Sequence, residues 1–272
     1  RRTPAEFDRR YERSLAMPNE FWREEAKRLD WVRFPTKIKN TSFALPDVER
    51  FALDNGTVAL VRGNYPLPFV TINLLVDGGA RRDPPGKEGL AGLTARMLSM
   101  GTAKRSAHTL SEELDAMGAS LSVTAGREYA VASVRALSKD LDRVMDLLFD
   151  VLSNPLFPEE ELKGEIAKTR AALQASEDDP GTVADRAFRQ SLYLTPSYAH
   201  PVEGTLQSLA AITRRDVHRF FENFYVAEGS IVVIVGDLTI DALKERIVPR
   251  LLTLRRGLPV PGDSAPRQAV ES

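Results

Sequence analysis

The chain has 272 residues, of which 43% are hydrophobic and 28% are charged, a composition typical of a folded protein with one or two domains. Its formal net charge of -1 argues against nucleic acid as a partner, because binding to phosphates requires a surplus of basic side chains. No apolar run approaches the roughly 20 residues of a membrane span, and residues 1–14 lack the apolar core of a signal peptide. We therefore predict no nucleic-acid partner and no membrane span.

Residues 1–46 are predicted to be an N-terminal extension that precedes the main domain. Within it, residues 19–29 have the spacing of one amphipathic helix. The apolar face of this helix carries Phe21, Trp22, Ala26 and Leu29. Because chain termini are often mobile, we expect the helix either to pack on its own domain or to be partly disordered.

Residues 47–256 have the pattern of a mixed α/β domain. Residues 48–53 and 57–62 are predicted strands joined at Asp54-Asn55-Gly56, a hairpin signal because Asn and Gly tolerate positive φ. Residues 69–76 are a third predicted strand, since VTINLLV is rich in β-branched side chains.

The segment 89–102, GLAGLTARMLSMGT, is predicted to be a helix with one buried stripe. The stripe recurs at helical spacing and consists of Leu90, Leu93, Met97 and Leu98. Gly92, Ala95 and Arg96 lie on the other side of this helix.

The elements that follow have recognisable ends. A helix over 109–117 is predicted to begin at a capping box, Thr109 with Glu112, and to end at Gly118. Residues 120–124 and 128–136 are predicted to form a hairpin about a glycine, so the sheet should be antiparallel or mixed.

Ser138 is predicted to cap a helix that runs to residue 152. A further helix opens at residues 157–162, where three glutamates complement the positive end of the helix dipole. The remaining predicted elements are helices over 181–193, 214–224 and 239–252 and a buried strand over 230–235. Residues 257–272 are rich in Pro, Gly and Ser and are predicted to be a linker-like tail.

The helix over 89–102 and its surroundings resemble the pitrilysin/insulinase class of zinc peptidases, the M16 family, in the branch of mitochondrial processing peptidase. Active members carry a His-x-x-Glu-His run between a Gly-x-Ala start and a Gly-Thr end. The matching ends here are Gly89, Ala91, Gly101 and Thr102. The resemblance implies an α+β, LuxS/MPP-like metallohydrolase fold, with a mixed, mostly antiparallel sheet covered by helices on one face.

The resemblance also implies where the family's zinc site falls in this sequence. The two His positions hold Gly92 and Arg96, the Glu position holds Ala95, and the third ligand, on the helix opened by residues 157–162, falls at Ala172. Zinc requires N, O or S ligands and its water requires a base, which these residue types do not provide. We therefore expect no catalytic residue, no metal and no other cofactor.

Other residues give no local replacement for that site. The chain has no Cys, and His108, His200 and His218 do not share a short spacing. We expect each of these histidines to lie at the surface or in a loop. Arg96 is expected to be a surface arginine, with Glu112, Glu113 or a carboxylate of another chain as the alternative partners of an ion pair.

A second resemblance covers residues 11–43, which look like the N-terminal segment of AMP-forming acetyl-CoA synthetases. The matching residues are Tyr11, Ser14, Phe21-Trp22, Ala26, Leu29-Asp30-Trp31 and Lys39-Asn40-Thr41-Ser42-Phe43. No Ser/Thr/Gly-rich phosphate-binding loop follows them, so adenylation is not expected.

The leading hypothesis is a catalytically inactive M16 domain. It would act as the non-catalytic partner of an active zinc-bearing M16 subunit in a heterodimer and contribute an edge strand and apolar helices to binding of a peptide substrate. The M16 resemblance makes the bacterial periplasm a plausible compartment. The alternatives are a structural or assembly module, and a truncated or fused reading frame with no activity. A zinc metalloendopeptidase is a minor alternative.

Overall fold

The structure is a computed structural model that describes residues 4–28, 47–63, 67–193 and 196–257. The chain separates into two compact units, Arg1–Asp47 and Val48–Ser272. The predictions for Leu29, for residues 30–46 and for the tail beyond residue 257 lie outside the described residues.

The described part of the first unit is helical, with α1 (Pro4–Ala16) followed by α2 (Pro18–Ala26). Phe21 of α2 is buried, and the guanidinium of Arg10 in α1 lies 5.3 Å from the centroid of its ring. Arg10 also forms an ion pair with Glu25. The predicted amphipathic helix is therefore present as α2, and it packs on a first helix that the sequence analysis did not predict.

The second unit combines a sheet with helices. Its strands are β1 (Glu49–Ala52), β2 (Val58–Arg62), β3 (Phe69–Val76), β4 (Ser120–Ala125), β5 (Ala130–Leu137) and β6 (Ile231–Gly236). Its helices are α3 (Leu90–Met97), α4 (Ala107–Met117), α5 (Leu141–Ser153), α6 (Glu159–Ser176), α7 (Pro180–Leu192), α8 (Pro196–Ala199), α9 (Leu206–Ala211), α10 (Arg214–Phe224), α11 (Ile240–Arg246) and α12 (Val248–Leu251).

The six strands form one mixed sheet in the order β1-β2-β6-β3-β5-β4. Only β2 and β6 pair in parallel, while all other neighbours in this order are antiparallel. This arrangement confirms the predicted α+β class with a mixed, mostly antiparallel sheet. Both predicted hairpins are present, as β1 with β2 and as β4 with β5.

One face of the sheet carries the core. In β3 every second side chain is buried, beginning at Val70, and each buried residue pairs with a buried residue of β5, as Ile72 does with Val134. The other buried positions of β5 are Ala130, Ala132 and Ala136. Since alanines allow close approach, the amphipathic helix α5 packs on this strand.

Two of the predicted helix starts were wrong. Ser106, not Thr109, is the N-cap of α4, because Ser106 has extended backbone angles and its Oγ accepts a hydrogen bond from the Thr109 N–H at 3.1 Å. Ser138 does not cap α5, since a 3₁₀ turn, Ser138–Asp140, comes first. The Gly118 end of α4 is confirmed, with the glycine at φ 58°.

The last predicted helix is interrupted. Thr239 caps α11 as predicted, by accepting a hydrogen bond from the Ala242 N–H at 3.2 Å. Pro249 has no N–H to continue the helical pattern, and the chain begins a separate short helix, α12. The short helices α8 and α9 were not predicted; α9 has a capping box in which Ser208 takes the place of the usual Glu or Gln.

Candidate functional site

Helix α3, which carries three of the four predicted site positions, is fixed at its N-terminus by Asp83. The two carboxylate oxygens of Asp83 accept hydrogen bonds from the N–H groups of Gly89 and Ala91, both at 2.7 Å. Burial raises the pKa of Asp83 to about 7, although these two hydrogen bonds oppose that change. Gly89 has φ 95°, and a Cβ there would lie 2.6 Å from the carbonyl oxygen of Glu203, so only glycine fits at this start.

The predicted buried stripe of α3 is confirmed, since Leu90, Leu93, Met97 and Leu98 are all buried. The opposite side is buried as well, because Gly92 and Ala95 are also inaccessible. Helix α3 packs against α10, α6 and β4. It is therefore enclosed by other elements, and Arg96 is its half-buried residue.

Arg96 extends from α3 to α6. Its Nε donates to Glu165 Oε2 at 3.1 Å, and its Nη2 donates to Thr169 Oγ1 at 2.8 Å. The other carboxylate oxygen of Glu165 accepts from Lys168 Nζ at 2.8 Å. The side chain of Glu165 is only 7% exposed, compared with 37% for Arg96. Both oxygens of a buried carboxylate are thus satisfied, in part by the arginine that stands at a predicted ligand position.

Glu112 and Glu113, two of the alternative ion-pair partners of Arg96, were wrong, because Arg96 pairs with Glu165. Glu113 pairs with Arg105 at 2.8 Å, and Glu112 lies 3.3 Å from His108. Glu165 is 69 residues from Arg96 in the chain, so spacing gives no direct signal for this pair.

The guanidinium of Arg96 lies beside the place where a side chain at position 92 would begin. A Cβ built on Gly92 would be 3.5 Å from Arg96 Nη1 and 3.8 Å from the carbonyl oxygen of Val202. Ala172 is exposed and lies three residues beyond Thr169 on α6. The structure therefore brings Gly92 and Arg96 together at the α6 side of α3, and it places Ala172 about one turn further along α6.

A zinc ion does not fit the donor chemistry of these positions. Gly92, Ala95 and Ala172 have no side-chain donor atom, and the guanidinium of Arg96 is a permanent cation. Within the described ranges, no group of three or more His, Cys, Asp or Glu side chains could hold a metal ion.

The three histidines lie apart from one another in secondary structure. His108 is exposed on α4, and His218 is exposed on α10. His200 follows α8, with Nδ1 2.8 Å from the Pro201 carbonyl oxygen.

Glu165 and Thr169 are the site residues that the sequence analysis missed. They lie on one face of α6 together with Leu162 and Leu173, and all four are buried. A glutamate and a threonine at the i and i+4 positions of a buried helical stripe were the available signal, because a buried carboxylate requires a partner.

The Gly-Thr end of the helix segment has a structural role. Thr102 Oγ1 donates to Asp150 Oδ2 at 2.7 Å, and Arg105 Nη1 donates to the same oxygen at 2.9 Å. Burial acts to raise the pKa of Asp150, but hydrogen bonds from Thr102, Arg105 and Asn154 outweigh it and leave the pKa below its usual range. This network fixes the loop after α3 to helix α5.

The strands at the two ends of the sheet are β1 and β4. Strand β4 lies against α3, and its exposed side chains are the uncharged Ser120, Ser122 and Thr124. Strand β1 is shorter and exposes Glu49 and Arg50, whose charges disfavour pairing with another strand. The edge that adjoins α3 is therefore the one better suited to accept an added strand.

A family model described as Insulinase (Peptidase family M16) matches residues 58–205, more than half of the chain. The chain belongs to the insulinase (M16) peptidase family. A second family model, Acetyl-coenzyme A synthetase N-terminus, matches residues 7–52. Both resemblances predicted from the sequence are confirmed.

Individual M16 relatives are similar over most of this chain. An uncharacterized zinc protease of Rickettsia felis is 26% identical over 208 residues, which is 75% of this chain and 50% of that protein. The mitochondrial-processing peptidase subunit beta of Bos taurus is 26% identical over 201 residues, 74% of this chain and 41% of that protein. The chain thus spans about half, or less, of the length of the curated relatives that it matches.

A solved structure supports the fold. The peptidase M16 inactive domain from Pseudomonas fluorescens superposes with a TM-score of 0.76 at 25% identity, covering 79% of this chain and 53% of that one. This similarity confirms the predicted M16-type fold. Among the helices of the described ranges, none has both the length and the apolar composition needed to cross a bilayer.

Proposed function

We propose that this chain is a catalytically inactive M16 peptidase domain that acts as the non-catalytic partner of a zinc-bearing M16 subunit. The observation that supports this proposal is the Arg96–Glu165 ion pair, in which a guanidinium lies where the family resemblance places a zinc ligand. Peptide hydrolysis by zinc requires a bound water and a general base next to it. Gly92, Ala95 and Ala172 provide neither, so this domain is not an enzyme on its own.

The domain's contribution would be to bind an extended peptide at the edge of β4. A peptide can add to an exposed edge strand through main-chain hydrogen bonds. The β4 edge is six residues long, is free of charged side chains and lies against α3. Short peptides with N-methyl groups on alternate amides test this mode. Methylation in one register should abolish binding and methylation in the other should not, whereas equal binding of both would exclude strand addition.

Comparison with relatives supports a role within a complex. The matched mitochondrial protein is named as a subunit, the matched solved structure is described as an inactive M16 domain, and this chain corresponds to about half of each relative. We therefore propose a heterodimer with a catalytic M16 subunit that degrades or processes peptides, located in the bacterial periplasm.

Metal analysis of the purified chain tests the absence of catalysis. We expect no stoichiometric zinc and no cleavage of peptides after incubation with zinc. Stoichiometric zinc together with cleavage that a chelator abolishes would overturn the proposal and establish the chain as a metalloendopeptidase.

Restoring the three ligand positions and the general-base position tests whether they have been assigned correctly. The variant combines Gly92→His, Ala95→Glu, Arg96→His and Ala172→Glu. A Cβ at position 92 would lie 3.5 Å and 3.8 Å from its neighbours, which are ordinary van der Waals distances, so the backbone there accepts a side chain. We expect the folded variant to bind zinc, and the matched variant that keeps Ala172 to bind it more weakly. A folded variant without zinc affinity would remove the basis for assigning these positions.

Co-purification tests the partnership. We expect the chain to form a stable complex with an M16 chain that has an intact His-x-x-Glu-His run, and we expect proteolysis by that partner to rise. A complex with no change in proteolysis would indicate a structural or assembly module. Failure to bind either peptide or partner would refute the proposed function.

We further propose that residues 1–46 are a separate extension of the M16 domain, 47–256, and that 257–272 form a linker-like tail. The division into units at Asp47 and Val48 supports the first boundary. Limited proteolysis should remove residues before about Asp47 and leave a stable remainder. Protection of the N-terminal segment would count against this division.

A further inference from the structure

A cavity of about 370 Å³ next to α3 is lined by three arginines. Arg186 and Arg189 come from α7, and Arg127 comes from the turn between β4 and β5. The acidic side chains in its wall are Asp185 and Glu203. Two separate segments of the chain thus bring three guanidinium groups to one partly open cavity.

Arg127 is held in place by neutral groups. Its Nη1 donates to the Ser197 carbonyl oxygen at 3.1 Å, and its Nη2 donates to the His200 carbonyl oxygen at 2.9 Å. Burial, followed by repulsion from Arg189, lowers the pKa of Arg127. The two carbonyls orient this guanidinium without neutralising its charge.

The two arginines of α7 differ in their pairing. Arg189 Nε donates to Asp185 Oδ2 at 2.7 Å, so one of the two acidic side chains in the cavity wall already forms an ion pair. Arg186 Nη2 donates to a neutral hydroxyl, Ser176 Oγ, at 3.4 Å. In the described part of the chain, no carboxylate oxygen lies within 4.0 Å of a guanidinium nitrogen of Arg186 or Arg127.

The lining therefore has one positive charge more than it has negative charges. A carboxylate carries a single negative charge and matches this excess, whereas a phosphate dianion would exceed it. Guanidinium groups bind carboxylates through paired N–H donors, and partial exclusion of water in a cavity strengthens that interaction. The small apolar and hydroxyl side chains of Thr182 and Val202 leave room for an aliphatic stem.

We propose that this cavity binds a carboxylate group of a peptide, either an acidic side chain or a C-terminal carboxylate. The choice of a peptide as the source rests on the proposed function, but the carboxylate chemistry does not. The Val202 carbonyl oxygen that borders Gly92 belongs to a residue of the cavity wall, so a peptide held here would lie close to the α3 region. Such a site would give the M16 domain a preference for peptides that present a free carboxylate.

Side-chain Nε–Hε signals of ¹⁵N-labelled full-length protein give a direct readout. The ligands are sodium acetate against sodium chloride at equal ionic strength, sodium phosphate, and a short peptide with blocked ends and one central glutamate. The same peptide with glutamine, and the glutamine peptide with a free C-terminus, separate the two sources of carboxylate. The variants are Arg186→Gln and Arg189→Gln, with Arg143→Gln, an exposed arginine on α5, as the control for charge.

Acetate and at least one of the two peptides that carry a carboxylate should shift the Arg186 and Arg189 signals, and chloride and the blocked glutamine peptide should not. Each α7 variant should weaken binding by about tenfold or more, as expected for loss of a charged hydrogen bond, and the control should not. If only one of the two peptide carboxylates shifts the arginine signals, that carboxylate is the one that the cavity binds. If neither acetate nor the glutamate peptide moves these signals, or if phosphate binds more tightly than acetate, the proposal is wrong.

The same titrations separate this proposal from the proposed function. A glutamine peptide that binds at β4 while the arginine signals stay unmoved by acetate and by both peptide carboxylates would refute the carboxylate site and leave peptide binding intact. Acetate shifts without binding of any peptide would support the site and refute peptide binding.

Discussion

Replacement of Arg96 by alanine should destabilise the M16 domain, because it removes a partner from a buried carboxylate. Glu165 is 7% exposed and would keep only Lys168, whose own side chain is 74% exposed. Thr169 would lose its donor from Arg96 as well. An uncompensated buried charge is the main cause of the expected loss.

The expected loss of stability depends on how deeply the side chains of Arg96 and Glu165 are buried. Removing one partner of a fully buried ion pair costs about 3–5 kcal/mol. The Arg96 side chain is 37% exposed, so solvent screening reduces its contribution. We expect a loss of about 2 kcal/mol in the free energy of unfolding, or ~4–8 °C in Tm for a domain of this size. Adding Glu165→Gln to Arg96→Ala should restore about 1 kcal/mol, because the unpaired charge is then gone.

Urea unfolding followed by circular dichroism is the suitable assay. Both tryptophans, Trp22 and Trp31, precede the boundary at Asp47, so tryptophan fluorescence reports on the N-terminal unit and not on the M16 domain. Arg143→Ala, on the exposed side of α5, is the matched control and should stay within about 0.5 kcal/mol of the wild type. A loss for Arg96→Ala no larger than that of the control would refute the role assigned to the pair.

Three further predictions concern the frame around α3. Because the pKa of Asp83 is raised to about 7, above its unfolded value, its stabilising contribution is complete below about pH 4 and is lost as pH rises through 7. Between pH 5 and pH 8 the free energy of unfolding, measured with urea, should fall by about 2–3 kcal/mol, and Asp83→Asn should reduce this fall. Equal pH dependence in both proteins would contradict this assignment. Asp150→Ala should lower the free energy of unfolding at pH 7 by about 3 kcal/mol, because it leaves the buried donors of Thr102 and Arg105 unpaired. A decrease below about 1 kcal/mol would show that the network is dispensable. Gly89→Ala should lower Tm more than Gly118→Ala, because both glycines have positive φ but only the Cβ at Gly89 meets a backbone oxygen, at 2.6 Å; equal losses would exclude the steric explanation.

Sequence pattern predicted the regular elements well where local chemistry decides them. The eight residues of β3 were predicted with their observed limits because half of them, Val70, Thr71, Ile72 and Val76, are β-branched. Gly118 and Thr239 were identified as helix ends from side-chain and backbone properties that act within a few residues.

The errors arise where several residues satisfy the same local rule. Ser106 and Thr109 are both good caps, and only the extended conformation of Ser106 decides between them. The helix after Ser138 is delayed by a turn because the chain must first leave β5. Propensity alone does not distinguish these possibilities.

At the candidate site, the sequence identified the residues at the matching positions but not the contacts that they make. The contact between Arg96 and Glu165 depends on how α3 packs against α6, which no short-range pattern describes. The three arginines of the cavity are likewise brought together only by the fold.

The place of β6 in the sheet has a consequence for folding. Strand β6 lies between β2 and β3, although it follows β3 by more than 150 residues in the chain. Until β6 is synthesised, β2 and β3 each have an unpaired edge, and unpaired edges promote aggregation. Such distant pairing also slows folding, since a long loop must close before its contacts form. A chain terminated before Ile231 would therefore lack the strand that joins the two parts of the sheet and should aggregate on synthesis.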